Sequence, residues 1–241
     1  MDSSIVNRDI KSTVRPVLKD AGFTQFTSRN AWRYLNDRID VVNFQSFNSY
    51  SASVMGCTTY SFAVNLGCRF RAIPVGGKIK QRDGFLRPGD YDCHFRRTMR
   101  KSIHQANFPR KTIWYVDPSG ENLLPVIEDA KQTIVAEGLQ WFNRFGDANE
   151  VLRTLLEDPE FLEDSEIHAG TWGFGRNPSP MRYLMTGFVA LSLGKTALAK
   201  GHLKRALDSN CFKDLEPKMR AALEEVSGNR ATAPKPELAP D

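Results

Sequence analysis

The hydrophobic positions of the chain first follow a helical period. Ile5, Val6, Ile10, Val14, Val17 and Leu18 recur at three- and four-residue steps, which predicts a helix over 4–21. Ser3 or Ser4 supplies a cap, Pro16 predicts a kink, and Gly22 followed by Phe23 reads as a C-terminal stop. The period then shortens to two. Phe26–Leu35 is aromatic-rich, LNDR (35–38) reads as a turn, and IDVVNFQSF (39–47) as a second strand. A Ser-rich loop covers 48–58. Tyr60, Phe62, Val64, Leu66, Cys68 and Phe70 then alternate without a break with Ser61, Ala63, Asn65, Gly67, Arg69 and Arg71, giving a third strand with one apolar face. Residues 72–90 form a long basic loop with room for a short helix, 112–116 (TIWYV) a short strand, and 117–122 a turn. From Leu123 to Arg144 the helical period returns, with Val126, Ile127, Ala130, Ile134 and Trp141 facing the core. Beyond Gly146 the pattern predicts helices over 147–157, 159–166, 180–193, 196–209 and 214–227.

These elements predict an α+β domain over 1–145, with an antiparallel sheet of about four or more strands and packed helices. An all-helical extension covers 146–226, and a Pro/Ala-rich tail, 227–241, reads as disordered. A length of 241 residues accommodates one large domain with an appendage. No apolar run approaches the ~20 residues a membrane span requires, so no membrane partner is expected. The start, MDSSIVNRD, lacks the basic-then-apolar pattern of a secretory leader, and only four cysteines occur. Both point to a cytoplasmic protein with reduced thiols.

Charge changes this picture. The chain is net +5, but Arg69–Lys111 holds twelve Lys/Arg against three Asp, net +9, leaving −4 elsewhere. Asn143–His168 holds eight acidic and two basic residues, net −6. Such segregation either builds a positive field on one surface or is solubility charge that clusters.

The sequence carries several motif fragments. LGKT (193–196) has Val189 where a phosphate-binding loop needs glycine, and no strand precedes it. GTWGFG (170–175) has its glycines in the wrong order for a dinucleotide loop. No nucleotide or other cofactor is therefore expected. Cys57, Cys68, Cys93 and His94 are the nearest metal candidates, but no CxxC or HxxxH pair occurs, and no metal is expected. Adjacent Cys93 and His94 point to opposite faces of a strand and do not form a dyad with each other. No catalytic residue is assigned, and whether the protein is an enzyme stays open.

Two resemblances emerge. Residues 183–210 resemble a single tetratricopeptide unit through Tyr183, Gly187, Ala199, Leu203 and Ala206, with Ala190 and Cys211 departing from that pattern. The ordered set LKDAGFTQFTSRNAWRYLNDRIDVVNFQSF (18–47), YSFAVNLGC (60–68) and YDCHFRR (91–97) resembles the bacterial domain of unknown function 4304 across about residues 1–145. That resemblance implies an α+β fold and a bacterial intracellular setting, and it brings no activity with it.

The polar face of the strands is the candidate site. Asn43 and Gln45 fall on the side of Asn65, Arg69 and Arg71, opposite Val42 and Phe44. Buried unpaired amides cost a few kcal/mol each, so these groups face solvent, a ligand or a polar network. The stretch 91–103 reads as helix or strand; in both, His94, Arg96, Arg97, Arg100 and Lys101 point outward. Three functional classes stay open. The first is a non-catalytic basic module that binds nucleic acid or another polyanion through 69–111. The second is an immunity- or defence-type module that docks a protein through its C-terminal helices. The third is an enzyme built around Gln45, Asn65 and His94.

Overall fold

Two helices open the chain where one was expected: α1 (Ser3–Thr13) and α2 (Arg15–Asp20). The break at Val14 follows from Pro16, which has no N–H to give and sits in the first turn of α2, where none is required. Gly22, at φ 86°, turns the chain, and the Phe23 N–H bonds back to the Leu18 carbonyl. The structure is a computed structural model that describes residues 3–156 and 179–228.

The strands are β1 (Gln25–Phe26), β2 (Asn30–Tyr34), β3 (Arg38–Ser46), β4 (Phe62–Phe70), β5 (Gln81–Arg82), β6 (Phe85–Leu86) and β7 (Phe95–Thr98). Five of them form one antiparallel sheet in the order β1-β2-β3-β4-β7, and β5 pairs with β6 in a separate hairpin. The α+β expectation holds, and 91–103 contributes a strand. The LNDR turn pairs Tyr34 with Ile39, and from there the register brings Asn30 to Asn43, Asn43 to Asn65 and Asn65 to Thr98.

The first sheet face is the core. Val42, Phe44, Phe62, Val64, Leu66, Phe70 and Phe95 pack with Val6, Ile10 and Val14 of α1 and its junction with α2. The same cluster takes in helix α4 (Leu123–Thr133), a π turn (134–138) and α5 (Leu139–Asn143), through Val126, Ile127, Ala130, Ile134 and Trp141. It continues without interruption into α6 (Ala148–Leu156), α7 (Pro180–Ser192), α8 (Thr196–Asp208) and α9 (Glu216–Val226), through Leu155, Leu184, Leu203 and Met219. Arg182 of α7 donates to the Leu155 carbonyl at 2.6 Å and so meets the C-terminal end of α6.

Buried charge in this core is organised around a carboxylate. Asp40, fully buried, accepts from Arg33 Nη2 at 2.7 Å and from Arg38 Nε at 3.1 Å. Each arginine also caps a helix end: Arg33 donates to the Ala21 carbonyl at 3.0 Å and Arg38 to the Phe145 carbonyl at 2.7 Å. The triad ties the sheet to the carbonyl termini of α2 and α5.

Two expected elements are corrected. The Ser-rich stretch 48–58 contains helix α3 (Ser49–Met55). Asn48 accepts from the Ser51 N–H as N-cap, and Gly56 at φ 68° ends the helix, so start and stop signals were both present. TIWYV forms no strand; Trp114 makes a single bridge with Phe62. Side chains take the backbone groups that follow: Gln105 bonds both the N–H and the carbonyl of Tyr115, and Ser61 accepts from the Val116 N–H. The expected helix over 159–166, the glycine-rich 170–175 and nearly all of the 227–241 tail lie outside the described residues.

Candidate binding surface

On the second sheet face two small apolar clusters leave a polar strip between them. Trp32, Ile39, Val41 and Cys93 form one cluster; Phe47, Ala63, Phe108 and Ile113 form the other. The segment 86–93 lies over the first, pinned by Trp32 Nε1 to the Pro88 carbonyl and Tyr34 Oη to the Leu86 carbonyl, both at 2.8 Å. Gly67 admits this segment: a Cβ there would stand 2.6 Å from Cys93 Sγ and 3.2 Å from the Asp90 Cα.

The strip is a row of side-chain amides running across four strands. Thr98 Oγ1 donates to Asn65 Oδ1 at 2.9 Å. Asn65 Nδ2 donates to Gln45 Oε1 at 2.9 Å and to Asn43 Oδ1 at 3.4 Å, and Asn43 Nδ2 donates to Asn30 Oδ1 at 2.8 Å. Asn65 is 7% exposed, whereas Gln45 and Thr98 are open to solvent. At its β2 end the row opens into a depression of about 550 Å³ lined by Asn30, Asn43, Lys80, Arg82, Arg87 and Tyr91. The ring of Tyr91 is 71% exposed on its rim.

Asn43, Gln45 and Asn65 are thus brought together as the alternation predicted. Asn30 and Thr98 belong with them and were missed. The basic residues are not brought together. The expectation that all of them in 91–103 point outward is corrected, because β7 has two faces and one is core. Arg97 is turned to the core side, 7% exposed, with Nη2 2.8 Å from Glu137. His94 is also 7% exposed, its Nδ1 accepting from the Phe70 N–H at 3.0 Å. Burial and the nearby Arg69 lower its pKa to about 3, the Pro74 carbonyl acting the other way, so the ring is neutral. Arg96 pairs with Asp90 at 3.0 Å. Lys101 Nζ holds its own loop, donating to Gln105 Oε1 at 2.7 Å and to the Phe108 carbonyl at 3.0 Å. Arg100 is exposed, and Arg69 and Arg71 lie at the end of β4, facing a different groove. Lys80 and Arg82 are exposed at the depression, and Lys78, Arg100, Arg110 and Lys111 are exposed as well.

Burial and the carboxylates Asp90 and Asp92 raise the Cys93 thiol well above its usual range, which disfavours a thiolate nucleophile there. Among the described residues no group of three or more His, Cys, Asp or Glu is placed to hold a metal ion. No helix among them is long and apolar enough to cross a membrane.

No curated protein and no solved structure matches the chain. A family model does, over residues 14–144, which take in the strand pairing, the amide row and the Arg33–Asp40–Arg38 triad. That span is more than half of the 241 residues, and the chain therefore belongs to the family described as Domain of unknown function (DUF4304).

Proposed function

We propose that the protein is a non-catalytic binding module that takes single-stranded nucleic acid along the second face of its sheet. The observation that carries this reading is where the amide row ends: in a depression walled by Lys80, Arg82 and Arg87, with Tyr91 exposed beside it. Amides offer donors and acceptors to base edges, cations meet phosphates, and exposed Tyr91 and Phe85 present ring faces for stacking. The net +9 of Arg69–Lys111 supports the same reading through its exposed cations, not through Arg97 or Lys101, which hold the fold.

The test is fluorescence anisotropy with labelled single-stranded DNA and RNA between low and physiological salt. Contact with ~5 phosphates gives a log–log salt slope of about −3 to −4. Joint substitution of Lys78, Lys80 and Arg82 by Gln is expected to weaken binding to all sequences alike and flatten the slope by about 2. Tyr91→Ala is expected to cost about 1–3 kcal/mol of binding. Wild-type binding no tighter than about 100 μM at physiological salt, or a triple variant that binds as well as wild type, would reject nucleic acid. The exposed cations would then be assigned to an acidic protein partner.

A further inference from the structure

A second groove, away from the amide row, runs between 69–79 and helices α7 and α9. It holds about 620 Å³, within the range of small-molecule sites. Its charged lining is Arg69, Arg71, Lys218 and Glu225, three cations against one acid, net +2. Ile73, Phe188, Leu191 and Ala222 supply apolar wall.

Arg69 is the unusual member. It is half-buried, and its Nε is fully enclosed with no hydrogen-bond partner among the described residues. Burial lowers its pKa, and neighbouring Arg71 pushes the same way. Asp92, one of the negative groups acting on it, already accepts from the Gly89 N–H at 2.8 Å. Three other enclosed arginines have a carboxylate: Arg33 and Arg38 on Asp40, and Arg97 on Glu137. A guanidinium withdrawn from water without a counter-charge is costly, and a planar fork of donors fits an oxyanion. The apolar wall asks for more than a bare ion.

We infer that this groove binds a small amphipathic anion, an apolar group carrying a phosphate or carboxylate head that seats on Arg69 and Arg71. Lys218, on α9, closes on the head from the other side, and the apolar body lies against Phe188 and Leu191.

The experiment is isothermal titration of the full chain with octyl phosphate, octanoate and inorganic phosphate, together with melting of the free proteins. Saturable one-to-one binding of octyl phosphate or octanoate is expected, and the stronger of the two identifies the head group. Inorganic phosphate should bind at least about tenfold more weakly, because it lacks the apolar body. Arg69→Gln and Arg71→Gln should each weaken binding about tenfold or more. Arg69→Gln should leave the melting temperature of the free protein unchanged or raised, since it removes a half-buried cation with no ion pair among the described residues. The inference is overturned if neither amphiphile binds below about 1 mM, or if both variants bind as wild type does. It is also overturned if Arg69→Gln melts more than a few degrees lower, which would make the cation structural. Nucleic-acid binding is read on Lys78, Lys80, Arg82 and Tyr91, so either result stands without the other.

Discussion

Asp40 shows what a single buried carboxylate can hold. Two guanidiniums, 15% and 7% exposed at their side chains, share it. Burial pushes its pKa up while both arginines pull it down. Asp40→Asn keeps the shape and removes the counter-charge from both, so a loss of about 3–5 kcal/mol in urea unfolding is expected. His94 makes an opposite test. Its folded pKa of about 3 lies below the usual 6.5, so the unfolded chain binds this proton more readily. Stability from a neutral His94 is present above pH 6.5 and is lost as pH falls from there toward about 3. Between pH 7 and pH 5 wild type is expected to lose about 2 kcal/mol more than His94→Gln. Equal losses would show that the ring takes up its proton as readily in the fold as in the unfolded chain.

Among the elements, the pairing of β4 with the segment over it depends on the missing side chain at Gly67. Gly67→Ala brings a methyl to 2.6 Å from Cys93 Sγ and against the Asp90 backbone. The cost of such overpacking is about 1–3 kcal/mol, measured as a lowered urea midpoint. The site was partly legible at this scale. Strict alternation keeps parity across antiparallel partners, so Asn43, Gln45 and Asn65 could be placed on one face without coordinates. Asn30 was legible too, since the LNDR turn sets it opposite Asn43. Thr98 was not: the long connection between β4 and β7 fixes no register. Nor could the sequence show which cations the fold consumes. Arg97 and Glu137 are forty residues apart, and only the sheet-to-helix packing joins them.

For the molecule as a whole, one apolar cluster runs from α1 through the sheet into α9. Unfolding followed by far-UV circular dichroism, which weighs α6–α9, and by tryptophan fluorescence, which weighs buried Trp32, Trp114 and Trp141, is expected to give coincident transitions. Separate midpoints would mean that the C-terminal helices fold as their own unit. The amide row also has a meaning at this scale. From Thr98 to Asn30 every side chain donates in the same direction, so the row has a head and a tail. An amide between two amides cannot reverse alone without setting donor against donor on one side and acceptor against acceptor on the other. The row therefore has two self-consistent senses, and reversing it takes all of its members together. A guest that demands an acceptor at one edge would dictate what is offered at the other, three strand spacings or about 14 Å away, with no movement of the backbone.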